Sequence, residues 1–158
     1  MVALTAEATT STGFGETTGR IQLFPLGTFV ARDGRPATIK GVTAKAWRLT
    51  EEDAQALIKR WGQQKTPVVI DYEHQTHHSE TNGKPAPAAG WIAGLELTPA
   101  GVFASVEWTD RARALIRAKE YRFISPVFSY DKDTGAVLEL VSVALTNHPA
   151  LDGMQSAQ

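Results

Sequence analysis

Short apolar runs bounded by turn residues dominate the pattern of hydrophobic and polar positions along the chain. Runs of this length, rich in β-branched and aromatic residues, are typical of strands that face a buried core. The segment 66–72 is almost continuously apolar, which predicts a strand buried on both faces or nearly so. The predicted strands cover residues 21–24, 28–31, 66–72, 90–97, 102–108, 123–130 and 136–146.

Turn residues predict how neighbouring strands connect. Pro25 and Gly27 lie between the first two strands, which predicts that these strands form a hairpin. The turn at residues 98–101, of sequence Thr-Pro-Ala-Gly, predicts a second hairpin between strands 90–97 and 102–108.

Two segments have the polar start and the apolar spacing of three or four residues that amphipathic helices show. Thr50 is a typical N-cap and is followed by three acidic residues, which predicts a helix over residues 51–62. Thr109 and Asp110 predict the start of a second helix in the same way. Its apolar side carries Ala112, Leu115, Ile116 and Ala118.

Segments that are poor in large apolar residues predict the limits of the folded domain. Residues 1–19 consist mostly of small and polar residues and predict a flexible N-terminal arm, and residues 154–158 predict a flexible C-terminal tail. Residues 76–88 carry two prolines and a glycine among polar residues, which predicts a long exposed loop. One domain over residues 20–153 remains, for which the predicted elements indicate an α+β fold around a closed or half-closed, mainly antiparallel sheet.

Composition and charge exclude several classes of function. The 158 residues, 42% of them hydrophobic, suffice for one core, and 16 basic against 17 acidic residues leave no basic stripe for nucleic acid. The absence of cysteine excludes a disulfide framework, a thiol nucleophile and a cysteine-ligated zinc ion. No run of residues has the pattern of a secretion signal or the length of a membrane span, so we expect a soluble cytoplasmic protein without a membrane partner.

Two apolar strands carry one reactive side chain each. His74 follows the strand 66–72, and Ser125 lies within the strand 123–130, next to Pro126. A hydroxyl nucleophile needs a base beside it, so this pair predicts a serine hydrolase if the fold brings the two residues together. Taken singly, Ser125 is more simply an edge-strand serine bonded to backbone, and His74 a structural histidine.

Three histidines close together, His74, His77 and His78, suggest a metal site as an alternative, because carboxylates lie nearby and both ligand types suit zinc. The glycine and prolines that follow predict an exposed polar loop instead. We therefore expect neither a metal nor another cofactor.

Five motifs follow one another in fixed order along the chain. They are Asp71-Tyr72-Glu73-His74-Gln75, Ala89-Gly90-Trp91-Ile92, Glu107-Trp108-Thr109, Tyr121-Arg122-Phe123-Ile124-Ser125-Pro126-Val127-Phe128 and Ala144-Leu145-Thr146-Asn147-His148-Pro149-Ala150. In this order they resemble the Mu-like prophage I protein family, the head-maturation protease and scaffold precursor of Mu-type phages. More distantly, the layout is similar to the prohead proteases of other tailed phages and to herpesvirus assemblin proteases.

The resemblance implies an assemblin-like fold, a mainly antiparallel β-barrel flanked by helices, and a serine endopeptidase with Ser125 as nucleophile and His74 as base. For the third catalytic residue it implies His148, the second histidine of assemblins, while Asp71 is a local candidate. Strand alternation would turn Asp71 away from His74 unless the strand breaks between them. Where related proteases place a carboxylate in the last strand, this chain has Ser142.

The resemblance also implies where the protein acts and with what. The enzyme would work in the host bacterial cytoplasm, inside the phage procapsid, cleaving the scaffold and itself, in contact with scaffold and capsid proteins and as a homodimer. The tail at residues 154–158 would then be a trimmed end or a remnant of self-cleavage. The alternative is a capsid-assembly module that keeps the fold and binds scaffold without catalysis.

Overall fold

Ten strands and three helices are found in the residues that the computed structural model describes, which are 2–3, 6–10 and 18–148. The strands are β1 (Val2–Ala3), β2 (Ala6–Thr10), β3 (Thr18–Phe24), β4 (Gly27–Phe29), β5 (Trp47–Leu49), β6 (Val69–Tyr72), β7 (Gly90–Thr98), β8 (Gly101–Trp108), β9 (Phe123–Tyr130) and β10 (Val137–Thr146). The helices are α1 (Glu51–Gln63), α2 (Gln75–Asn82) and α3 (Asp110–Arg117).

Six strands, in the order β9-β10-β6-β7-β8-β3, form a curled sheet with the shape of a half-barrel. Neighbouring strands are antiparallel except β10 and β6, which are parallel. Strand β2 pairs with β3 and also with β9, so it contacts both edges of the curl, and β1 pairs with β9. The predicted α+β class with a mainly antiparallel sheet is therefore confirmed, whereas the assemblin-like arrangement stays a prediction.

Aromatic side chains fill the centre of the curl. Trp47 and Phe128 are fully buried, and their rings meet edge to face with centroids 5.4 Å apart. Phe24 meets Phe128 in the same way at 5.3 Å. Edge-to-face packing matches the positive edge of one ring to the negative face of the other, so these contacts add to the stabilisation that burial provides. They join β3, β5 and β9 in one core.

Capping side chains set the starts of α1 and α3 as the sequence predicts. The Thr50 hydroxyl accepts a hydrogen bond from the Asp53 N–H, and the Asp53 carboxylate accepts one from the Thr50 N–H. Thr109 caps α3 through the Ala112 N–H. Neither these helices nor α2 is long and apolar enough to cross a membrane.

The segment predicted as an exposed loop, 76–88, begins as helix α2. The loop prediction is therefore wrong for residues 76–82, although these residues are mostly exposed. The helix has no apolar side and none of its residues is buried, so apolar periodicity could not reveal it. Its stabilisation comes from polar contacts with β6 and β10, which are described below.

The predicted first hairpin is also wrong. Strand β4 pairs with β5 in a separate two-stranded sheet, with Phe29 opposite Trp47. It does not pair with β3, because both edges of β3 are occupied by β8 and β2.

The predicted N-terminal arm contributes strands to the sheet. Ala8–Thr10 pair with Gly19–Ile21, and Val2–Ala3 pair with β9. Backbone hydrogen bonds are independent of side-chain size, so small residues can extend a sheet that larger residues have already built. Other parts of the arm (residues 1, 4–5 and 11–17) and the predicted tail at 154–158 lie outside the described residues, and the predicted domain limits stay a prediction.

Candidate active site

Strand β9 is buried on both faces, and the two faces differ in character. Ile124 and Phe128 are completely buried in the aromatic core. Ser125 points to the opposite face, as strand alternation requires, and only 3% of it is exposed. The sheet therefore places a small polar residue on its outer face under a cover of other residues.

Three residues in register form a row across that face. Ser125 of β9 lies opposite Ala144 of β10, and Ala144 lies opposite Asp71 of β6. Neighbouring strands are about 4.8 Å apart, so Asp71 and Ser125 are two strand spacings apart, with the small methyl group of Ala144 between them. This spacing leaves room for one further side chain above Ala144.

The chain leaves β6 through two residues in the left-handed conformation. Glu73 has φ 55° and His74 has φ 58°, which is uncommon for residues other than glycine. Strand alternation ends at Tyr72, and the turn places the imidazole of His74 over the sheet. The His74 Nε2 atom lies 3.2 Å from the Ser125 Oγ atom, a hydrogen bond between residues 51 positions apart.

Contacts with β10 hold this turn. The Glu73 N–H donates to the Leu145 carbonyl over 3.1 Å, and the Thr146 hydroxyl donates to the Glu73 carboxylate over 3.2 Å. A left-handed residue with a side chain costs on the order of 1 kcal/mol or more and persists only where its surroundings enforce it. The strain thus lies at the residue that carries the candidate base.

Asp71 supports helix α2 with one carboxylate oxygen. Its Oδ2 accepts the Thr76 N–H over 2.9 Å, so it satisfies a helix-start donor that the N-cap residue, His74, leaves open. The other oxygen, Oδ1, is buried without a hydrogen-bond partner among the described residues, and so is the Nδ1 atom of His74. Asp71 itself is 1% exposed.

Burial lowers the pKa of His74 below its ordinary value of 6.5, because the charged imidazolium loses solvation. The negative charge of Asp71 acts in the opposite direction and is the next largest effect. His77 lowers the pKa further and Glu73 raises it. The net result is an imidazole that is neutral at pH 7, with a nitrogen able to accept a proton.

The two candidates for the third residue lie in different surroundings. His148 follows the end of β10 and is exposed, and its backbone N–H donates to the Thr146 hydroxyl. Asp71 lies in the row with Ser125 and is the carboxylate with the largest effect on the pKa of His74. The condition for Asp71, a break in the strand before His74, is met.

A second hydrogen bond between a serine and a histidine was missed from the sequence. The His77 Nε2 atom lies 2.9 Å from the Ser142 Oγ atom on β10. The three-residue spacing of His74 and His77 could have indicated it, had a helix been predicted there. In the part of the chain that the structure describes, no group of His, Asp and Glu side chains is arranged to hold a metal ion.

Comparison of the sequence with known proteins identifies the family of the chain. Residues 21–158 match the family described as Mu-like prophage I protein, N-terminal domain. The chain belongs to this family. It is 37% identical over 142 residues to Protease I of Escherichia phage Mu, and 34% identical over 164 residues to the Mu-like prophage FluMu I protein of Haemophilus influenzae.

Each match covers most of this chain but less than half of the relative. The Protease I match covers 87% of this chain and 39% of the relative, and the FluMu match covers 98% and 43%. The chain thus spans about two fifths of the length of these curated relatives. No solved structure matches the chain significantly.

Proposed function

We propose that this Mu-like prophage I domain is a serine endopeptidase in which Ser125 is the nucleophile, His74 the general base and acid, and Asp71 the residue that orients the imidazole. The single observation that carries the proposal is the 3.2 Å contact between His74 Nε2 and Ser125 Oγ. A neutral imidazole within hydrogen-bond reach of a hydroxyl is the arrangement that activates serine. The similarity to a phage protein named Protease I supports proteolysis.

The chemistry follows from the protonation states. Neutral His74 carries its proton on Nδ1, toward Asp71, and accepts the Ser125 hydroxyl proton on Nε2 while Oγ attacks the scissile carbonyl carbon. His74 then returns that proton to the leaving amine, which gives an acyl enzyme and releases one peptide product. Water attacks the acyl group in the second half, and its proton passes through His74 to Ser125.

The orphaned atoms support Asp71 as the third residue. A positive imidazolium forms during both steps, and a buried carboxylate in the same row stabilises it. Asp71 Oδ1 and His74 Nδ1 are both buried without another partner among the described residues. We propose that the two atoms form a hydrogen bond when substrate binds, since catalytic hydrogen bonds often tighten only in that complex.

The proposed role in the phage follows the family. We propose that the enzyme cleaves scaffold protein and its own precursor inside the procapsid, in the host cytoplasm, with scaffold and capsid proteins as partners and as a homodimer. Cleavage of the scaffold before the shell has formed would interrupt assembly. We therefore propose that the protease acts after the shell has formed.

One observation favours the rival function, a non-catalytic capsid-assembly module. Ser125 is only 3% exposed, so a substrate reaches its hydroxyl only if the covering residues move. A purely structural Ser125 would hold α2 to the sheet through His74 and would never meet a substrate.

Covalent labelling distinguishes the two functions. The purified domain is treated with a fluorophosphonate, which reacts with activated serines, and the adduct is located by peptide mass spectrometry. We expect an adduct on Ser125 in the wild type, none with Ser125→Ala, and at least a hundredfold slower labelling with His74→Ala. Ser129→Ala changes another serine of β9, four residues beyond Ser125. It serves as the matched control and should label normally.

An adduct on another serine, or equal labelling of the wild type and His74→Ala, would contradict the proposed mechanism. A chain inert to several such reagents, both alone and assembled with scaffold, would support the assembly module.

A further inference from the structure

Helix α2 lies on the sheet without an apolar face. None of its eight residues is buried, so the hydrophobic effect that fixes most helices contributes little here. Its described contacts with the sheet are polar: the Thr76 N–H with Asp71, and the His77 ring with Ser142. The position of α2, and of the His74 turn at its start, therefore depends on a few hydrogen bonds.

The His77–Ser142 hydrogen bond joins the same two kinds of atom as the His74–Ser125 bond, a histidine Nε2 and a serine Oγ. His74 and His77 are three residues apart, so their rings lie on the same side of the helix start. Ser142 of β10 lies opposite Val127 of β9, two residues from Ser125, so both hydroxyls are on one face of the sheet. His74, the N-cap of α2, and His77, in its first turn, thus form hydrogen bonds with serines of the neighbouring strands β9 and β10.

Ser142 is a buried polar residue in a strand, with 4% of its surface exposed. Of its two neighbours on β10, Val143 is completely buried and Val141 is 39% exposed, so Ser142 lies where the buried part of the strand begins. A buried hydroxyl is costly without a partner, and His77 supplies that partner over 2.9 Å. The pair therefore fixes the distance between α2 and β10.

We propose that Ser142 and His77 are positioning residues of the active site, which hold the first turn of α2 against β10 and so keep His74 within hydrogen-bond distance of Ser125. This inference rests on the proposed serine protease function. Neither residue touches the reacting atoms. Their role is to enforce the left-handed conformation of His74, which lies three residues from His77.

The test compares steady-state cleavage of a scaffold-derived peptide by matched variants. Ser142→Ala removes the hydroxyl, and His77→Phe keeps a ring but removes its nitrogens. His77→Gln has a polar amide group that can take the place of the His77 Nε2 atom. We expect Ser142→Ala and His77→Phe each to lower kcat by about 10- to 100-fold with KM nearly unchanged, because a displaced base slows chemistry rather than binding. His77→Gln should recover most of kcat.

Two further variants complete the set. The double variant Ser142→Ala/His77→Phe should be no slower than the slower single variant, because the two residues act through one bond. Ser79→Ala is the control on the same helix, since the Ser79 hydroxyl donates to the Thr76 carbonyl within α2, and this variant should retain wild-type kcat.

Hydrogen exchange gives a readout that does not require catalysis. We expect the amides of residues 75–78 to exchange about tenfold faster in Ser142→Ala than in wild type or Ser79→Ala, since local opening becomes easier. Wild-type kcat in Ser142→Ala, or a glutamine variant no better than the phenylalanine variant, would overturn the positioning role.

The failure of this inference and the failure of the proposed function are distinguishable. If Ser125→Ala is inactive while Ser142→Ala is fully active, only the positioning role fails. If Ser125→Ala remains active, the proposed function fails, and unchanged exchange in Ser142→Ala would then reject the positioning contact as well.

Discussion

At the scale of single residues, the candidate site depends on which atoms reach one another. His74 meets Ser125 because two consecutive residues adopt the left-handed conformation after β6. Ala144, with its small side chain, lies between Ser125 and Asp71 in the row across the sheet. The proposed chemistry therefore depends on backbone conformation and strand register as much as on the reactive residues.

The first prediction concerns Ser125 and His74 as a unit. Ser125→Ala and His74→Ala should each lower kcat by about 10³-fold or more, and the double variant should cost little beyond the worse single change. Cleavage of purified scaffold in a protease-free preparation measures this. Ser125→Ala should leave the thermal transition intact, with a stability change within about 2 kcal/mol, because it removes one hydroxyl. Additive losses, or continued cleavage by Ser125→Ala, would reject the pair.

The second prediction separates Asp71 from His148. Asp71→Asn keeps an oxygen that can accept the Thr76 N–H but removes the charge facing the imidazolium, so we expect kcat to fall by about 10²-fold or more. His148→Ala removes an exposed side chain beyond β10 and should change kcat by less than about threefold. Steady-state kinetics of the two variants decide the matter, and the reverse ranking would assign the third role to His148.

The third prediction is a pH dependence. The base must be neutral, so kcat/KM should fall as the pH drops through the pKa of His74, which burial holds below 6.5. Activity should therefore persist from neutral pH to below pH 6.5 before it declines. Glu73→Gln removes a charge that raises this pKa, so the acidic limb should move to still lower pH. Glu80→Gln, an exposed change on α2, is the control, and a limb that moves upward in Glu73→Gln would contradict the assignment.

Sequence reasoning could single out Ser125 and His74, which the structure brings into contact, but could not choose between the two candidates for the third residue. Ser125 and His74 stand out because each is a reactive residue beside an apolar strand and because the family motifs contain them. Asp71 could not be assigned, since alternation placed it away from His74, and only the left-handed turn reverses that expectation. The Ser142–His77 contact was missed because helix α2, which carries His77, has no apolar side and was not predicted.

At the scale of elements, those with a strong local signal were predicted. Helices α1 and α3 have capping residues and an apolar side, and both begin where the sequence predicts. Helix α2 has no apolar side, and its start is stabilised by Asp71, a residue outside the helix. The parallel pairing of β6 with β10, which brings Asp71 beside Ala144, depends on contacts far apart in the chain and has no local signal.

The fourth prediction contrasts two glycines in different elements. Gly62 lies in α1, and a Cβ atom added there would have no other atom within 4 Å. Gly62→Ala should therefore stabilise the protein by about 0.5–1 kcal/mol, because alanine favours the helix and restricts the unfolded chain. Gly135 has φ 77°, and a Cβ atom there would lie 2.0 Å from the Ala46 carbonyl oxygen. Gly135→Ala should therefore destabilise by more than about 2 kcal/mol, beyond the usual range for surface changes. Urea unfolding measures both, and equal effects of the two changes would contradict this packing.

At the scale of the whole molecule, one core connects the curled sheet with the helices. The buried cluster includes Leu57 of α1, Ala112 of α3 and Phe128 of β9. Ile116 of α3 also packs against it, as expected for a helix that lies on the sheet. Leu115, on the same apolar side of α3, is only half-buried. The candidate site thus lies on a single folded body, and Ser125 is covered.

The fifth prediction is that specific activity rises with enzyme concentration. Ser125 is 3% exposed in the single chain, so opening the site costs free energy, and association with a second copy is one source of it. A protease that waits for a crowded procapsid gains its timing from this mass action. Peptide cleavage should be measured from nanomolar to high micromolar enzyme, alongside sedimentation of the same samples. Leu115→Ser should shift the rise to higher concentration, while Val30→Ser, at an exposed apolar position just after β4, should not. Constant specific activity over the whole range would rule out control by self-association and leave substrate binding as the step that uncovers Ser125.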